Sequence, residues 1–563
     1  MSQSPAPPHT PKPPKPPAGG FRASALYRLL LLGPAPRGVA LDVPTLWPGA
    51  PERGAEILTG RFAHGGAHGG THGAESHQLR SAADIPANAS DEWLAWFHGL
   101  DWLEDLAALS GGKRGGEAPY FAREWVSAWM DANTHYTPIA WSPAVTAQRV
   151  INLIRAWAFL VRGDAAGPFE KMLRHTIGRD VRHITRSMPP PGSGYARLHT
   201  LKGQAFAALA LKGRERSQAK VLARLEDEID AQVLPDGGHV ERNPERLADV
   251  LRDLLELKAL IAAATGQMSG CVQNAIDRAA PMLRQLRHPD GGLALFNGGL
   301  EGDPADIDLL LAQTDPGAQA PGRAPYAGFQ RLGAGNIAVI MDCGKPGGPG
   351  RRHHAGTLSF EMSVGAQRVI VNCGARPSVT DPWRTALAAT AAHSTVTVND
   401  TSSAAFAIDG SLHRGPEHVT CERTDTDAGT LVEASHDGYL NAFGLTHHRA
   451  LFVGPAGDNV RGEDRLAGTG GEYFTIRFHL HPGVKASVLG GGATGESTGV
   501  LLRFGARSKE TWRLRTSAGE VKLEDSVYLG SGGEHRRTEQ IVITGPLTGN
   551  GALIKWALTR ADR

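Results

Sequence analysis

The chain lacks most of the features that would assign it quickly. It has four cysteines, at positions 271, 343, 373 and 421, and no two of them form a CxxC pair. That spacing argues against a disulfide framework or a cysteine zinc site and fits buried free thiols. Neither charge dominates: 59 Lys+Arg stand against 57 Asp+Glu, so no global basic field points to nucleic acid or a membrane surface. Long apolar runs are missing too. The run at residues 29–32 is far shorter than a spanning helix or a signal-peptide core, so no transmembrane segment and no clear signal peptide are expected. There is no P-loop, dinucleotide fingerprint or G-x-S-x-G motif.

What is present is a long chain with a change of periodicity. At 563 residues it exceeds one ordinary core, so at least two domains are expected. Its mean hydropathy of −0.25 fits a globular protein. The Pro-rich N-terminus, PAPPHTPKPPKPP, cannot pack a core, and residues 1–46 are expected to be disordered. From about Trp47 apolar residues recur at helical spacing. Val221, Leu222, Leu225, Ile229 and Val233 do so, and Asn243 and Pro244 open a further helix through Leu247, Val250, Leu251 and Leu254. Beyond residues 313–323 period two takes over: Leu358, Phe360 and Met362, then Val369, Val371 and Cys373. The expected fold is therefore multidomain, helices first and antiparallel β-sandwich second, with residues 47–315 and 316–563 as the domains.

Several groups could carry chemistry. The glycine-rich tract AHGGAHGGTHGAESH holds His64, His68, His72 and His77, which reads as a flexible insertion able to bind a transition metal adventitiously. In RRHHAGTLSFE, VNCG and WRTALAATAAHSTVTV, the residues His353, His354, Asn372, Arg384 and His393 fall at strand ends, where a rim site can form.

These segments resemble the heparinase II/III family. HHAGTLSFEMSVGAQRVIVNCGA with the following WRTALAATAAHSTVTV is similar to its C-terminal signature. WLAWFHGLDWLEDL, RVINLIRAWAFL and LPDGGHVERNP look like its helical region. The resemblance implies an incomplete α/α toroid before the sandwich, a cell-envelope or periplasmic location, and a lyase acting on an acidic, uronate-containing polysaccharide. β-Elimination removes the C5 proton and expels the C4 oxygen, work suited to His and Tyr, with Arg holding the carboxylate. It requires no cofactor. The resemblance also implies a structural zinc, at His354, Asn372 and His393, with Asn372 where the family has aspartate. His239, His353, His354 and Arg197 are the expected catalytic residues, and Arg149, His199, Arg242 and Arg384 the substrate binders. The family's tyrosine after the DGG turn is absent from DGGHVERNPERL. That departure favours the alternative of a non-catalytic polysaccharide-binding or assembly protein. A glycoside hydrolase using Asp236 and Glu241 is a third reading.

Overall fold

The computed structural model describes residues 20–65, 75–111, 114–162, 166–350, 352–376, 378, 381–407, 409–489, 499–504, 510–531 and 535–561. Two compact units share the chain. One contains residues 12–232 and 250–276. The other contains 233–249 and everything from 277 onward, so the DGG turn and the last helices group with the sheets. Among the described residues no helix is long and apolar enough to cross a membrane.

The first unit is helical. Its longer helices are Ala118–Ala132, Pro143–Arg155, Pro168–Arg186, Tyr195–Ala210 and Glu215–Gln232. Local sequence sets their starts: Ser142 accepts a hydrogen bond from the Val145 amide, and Pro143 follows at the first helical position. Trp93, Trp102 and Trp129 are fully buried, so the aromatic stripes form core rather than a sugar platform. Residues 20–46 depart from the expected disorder. A helix spans Ala25–Leu30, and Tyr27 is buried with its hydroxyl 2.7 Å from His183 Nδ1. Arg182 donates to the Leu31 and Pro34 carbonyls and Arg174 to the Pro36 carbonyl, so several contacts tie the segment to the helices. In the glycine-rich tract, Arg61–His64 and Glu75–Gln78 pair as a hairpin, and His77 bonds Glu75. His68 and His72 lie outside the described residues.

The second unit is a β-sandwich. A nine-stranded and an eight-stranded antiparallel sheet share one core, in which Val339, Phe360 and Met362 meet Val432, Leu451, Trp512 and Leu558. The eight-stranded sheet begins with the meander Val419–Thr426, Gly429–Tyr439, Leu445–Val453 and Asn459–Gly468. It continues through Ala552–Arg560, Glu510–Thr516 and Gly499–Phe504 to Val484–Leu489. Alternation places one face of each strand in the core and the other in solvent. Helices before residue 313 and strands after 323 match the expected change of class.

The sandwich core also buries an ionic network. Asp464 accepts hydrogen bonds from Arg449, His447 and Trp556, and Arg449 reaches the carbonyls of Leu358 and Ser394. Arg449 and its neighbour His447 hold the Asp464 carboxyl well below the usual range, although burial, the largest influence, raises it.

Candidate functional site

Each unit carries its own group of ionisable residues. In the helical unit the group is built on the helix Tyr195–Ala210. Tyr195, His199 and Lys202 recur at four- and three-residue steps and share one face. Opposite them stand Asp253 and Glu256, one helical turn apart. His199 Nδ1 lies 2.8 Å from Asp253 Oδ2, and the Tyr195 hydroxyl is 3.2 Å from the same nitrogen. Lys202 Nζ lies 2.5 Å from both Asp253 and Glu256. Arg155 closes the set, 2.9 Å from Glu256 and 3.3 Å from Glu104.

The electrostatics follow from this pairing. Burial is the largest influence on Asp253 and would raise its pKa, but Lys202 and His199 together pull it far below the carboxylate range. Burial would also lower Lys202, and its two carboxylate partners raise it instead. Glu104 is different: burial pushes it up to about 7, and Arg155 only partly offsets that. Asp253 fixes the Nδ1 side of the His199 ring, which leaves Nε2 as the remaining nitrogen, the orientation a general base needs.

The sequence-based candidates in this unit divide sharply. His199 belongs to the ionisable group. Arg149 does not: it is fully buried and bonds Asp180 at 2.8 Å, Thr146, and the carbonyls of His98 and Ala140, over the face of Trp129. Arg197 pairs with Glu228 at 2.5 Å and donates to the Pro189 carbonyl. Both arginines thus tie helices together, contrary to the expectation that they hold a substrate carboxylate.

In the sandwich unit, the DGG turn and the strand-end loops bring the remaining candidates together. His239 is 1% exposed, and its Nδ1 accepts the Glu241 amide at 3.3 Å. Burial, helped by Arg246, pushes its pKa down to about 3, so the ring is neutral. Arg242 occupies the left-handed region at φ 54° and is clamped by Asp342 and by the carbonyls of Ala327 and Lys345. It locks loops, with its guanidinium stacked over the Phe329 ring. Asp236 receives the amides of Gly238, Tyr326 and Ala327, a turn-closing role that leaves little for acid catalysis.

His353, His354, His393 and Arg384 lie close to one another. His353 is buried and, among the described residues, its Nε2 has no hydrogen-bond partner, while the Glu241 carboxylate acts on the ring through space. His354 Nδ1 lies 3.1 Å from His393 Nε2, and His393 Nδ1 bonds the Ala389 carbonyl. Burial first, then His393, His353 and Arg384, hold His354 well below its ordinary pKa. Asn372 stands apart in function. Its amide donates to the Leu295 carbonyl and its oxygen accepts the Ser394 amide, so the oxygen is spent on the backbone. Two imidazoles without a third donor do not fit a structural zinc, which takes four ligands, and among the described residues no group of three His, Cys, Asp or Glu could hold a metal.

Sequence reasoning missed Tyr195, Lys202 and Asp253. The Tyr195–His199 spacing was legible, but the partner carboxylate lies 54 residues from the histidine.

Comparison with known proteins locates these groups in a familiar architecture. Residues 316–557 match the family described as heparinase II/III-like, C-terminal. FtsZ-localized protein C of Caulobacter vibrioides is 31% identical over 96% of this chain and 93% of its own length. Among solved structures, heparinase III superposes with a TM-score of 0.68 at 15% identity, covering 85% of this chain and 78% of that one. The heparan sulfate lyase HepC mutant from Pedobacter heparinus gives 0.62 at 15% identity, covering 91% and 83%. At such identities the structural likeness establishes the fold, an α/α toroid followed by a β-sandwich.

Proposed function

Because the chain belongs to the heparinase II/III-like family while its own groups occupy three of the four arginines expected to act on a uronate, we propose that it is a lyase-fold assembly protein of an FtsZ-based division apparatus. One observation carries the reading. Arg149, Arg197 and Arg242 are each closed by an internal carboxylate and by backbone carbonyls. A substrate carboxylate would have to displace an internal ion pair to reach any of them, at a cost of roughly 3–5 kcal/mol for the fully buried Arg149–Asp180 pair by analogy with broken buried pairs. The likeness to FtsZ-localized protein C over nearly the whole of both chains supports FtsZ as the partner. The missing tyrosine after the DGG turn and the engaged Asn372 point the same way.

The test is sedimentation of the purified chain with FtsZ polymerised in GTP. The reading predicts enrichment in the pellet that depends on polymer, and a fluorescent fusion that follows FtsZ in cells. Absence from the pellet, with a diffuse periplasmic signal, would instead favour the cell-envelope location expected of a lyase.

A second reading rests on the Tyr195–His199–Asp253 group. In a uronate lyase of this fold, His199 Nε2 would take the C5 proton as the C5–H bond breaks. A C4=C5 double bond would form, and the Tyr195 hydroxyl would protonate the departing C4 oxygen. Asp253 would hold the imidazolium that forms. This reading predicts an unsaturated uronate product from an acidic polysaccharide, lost in His199→Ala.

A further inference from the structure

The chain is almost neutral overall, yet one surface of it is not. On the outer face of the eight-stranded sheet, Arg461, Arg465, Arg503, Arg513, Arg515 and Lys555 project to the side opposite the core. Among the described residues, Lys555 alone of these six has a carboxylate partner, Glu463 at 3.6 Å. Arg461 leans over the Phe452 ring at 5.8 Å, and the Arg513 Nε is buried without a hydrogen-bond partner among the described residues. Concentrating like charges on neighbouring strands costs repulsion in the free protein, which an anionic partner would relieve.

The same face is hollow where the cations meet. Strand register sets Phe452 opposite Arg461, Arg461 opposite Ala557, and Ala557 opposite Arg515. Ala557 therefore separates two arginines, and Ala450 stands across from Glu463 on the next row. Small residues between long ones leave a cavity of about 500 Å³, with Leu431, Ala450, Phe452 and Ala557 as its apolar lining and three cations, Arg461, Arg515 and Lys555, against one carboxylate, Glu463, at its edge. That volume accepts one or two large side chains.

We propose that this face docks an acidic peptide segment that places a bulky apolar side chain in the hollow between Arg461 and Arg515. Charge complementarity selects the acidic partner, and the recessed lining selects a peptide over a bilayer. A membrane-binding face needs apolar side chains that reach past its cations, whereas here they lie below them, with Leu553, 50% exposed, the outlier on the face. The inference goes beyond the assembly reading and does not depend on it, because a lyase of this fold could carry the same surface.

The experiment uses the full chain and a fluorescein-labelled peptide of Glu and Asp residues around one central Phe, read by anisotropy. Its counterpart with Ser in place of Phe, phosphatidylglycerol vesicles and heparin are run beside it. The proposal expects binding that weakens with salt, at least tenfold weaker binding of the Ser peptide, and at least a tenfold loss in the R461E/R515E double variant with an unchanged melting temperature. R461A/R515A gives the same comparison if charge reversal disturbs folding. Equal binding of the Phe and Ser peptides, unchanged affinity in both double variants, or a preference for vesicles or heparin over the peptide would overturn it.

Discussion

The surroundings of His199 and of His354 handle buried polar groups in opposite ways. Around His199, two cations, Lys202 and Arg155, face two carboxylates, Asp253 and Glu256, and burial is offset by pairing. Around His354, among the described residues, no carboxylate hydrogen-bonds either ring of the pair. Burial instead keeps His354 and His393 neutral, the latter at about 4, and they share one hydrogen bond. The first arrangement holds charge ready in a dry site. The second discards charge and keeps shape. An elimination needs groups that change protonation, so the helical group is the better place to look for residual chemistry and the histidine pair the better place to look for structure.

That contrast can be broken by substitution. Lys202→Met strands Asp253 and Glu256 without their shared cation and should cost about 3–5 kcal/mol in chemical denaturation. His354→Leu removes one of two neutral rings and leaves a His393 nitrogen unpaired, for a smaller loss of about 1–3 kcal/mol. If the two variants lost equal stability, the distinction between charged and neutral sites would fail.

Acid should sharpen it further. His239 and His393 have folded pKa values pushed down to about 3 and about 4, below the ordinary 6.5 of an unfolded chain. Between those values the unfolded state binds protons that the folded state refuses. Their stabilisation is therefore complete above pH 6.5 and is lost as pH falls toward 4. His393→Asn should shift the midpoint of acid unfolding to lower pH relative to its stability at pH 8. No shift would mean that the ring titrates normally. Glu104 has the opposite sign. Its folded pKa is raised to about 7, so folding loses stability as pH rises from about 4.5 to 7. Glu104→Gln should then stabilise the protein at pH 8 relative to pH 5 by on the order of 1 kcal/mol, the smallest of these effects because the side chain is 29% exposed.

How much of this was legible beforehand follows from distance along the chain. Periodicity is local, so the passage from helices to alternating strands could be read directly, and the capping residue Asn243 announced its helix. The histidines at 199, 354 and 393 stood out by type. The carboxylate partners of His199 and of the arginines did not, because such pairing is a property of tertiary structure. Arg149 looked like a free cation until Asp180, 31 residues on, proved to bond it. Arg242 looked like a binder until Asp342 closed it, 100 residues away. Tyr27 shows the converse: a Pro-rich preamble suggested disorder as far as residue 46, and its buried hydroxyl on His183, with Arg174 and Arg182 on the following carbonyls, anchors the part from residue 20 on.

The most direct test of the central reading is incubation of the pure protein with heparan sulfate, chondroitin sulfate, hyaluronan and alginate while the absorbance of the unsaturated uronate is followed. With Arg149, Arg197 and Arg242 committed internally, no product should accumulate on any of the four. Steady product formation that disappears in His199→Ala, with the variant still folded, would contradict the assembly reading and establish the helical group as a lyase site.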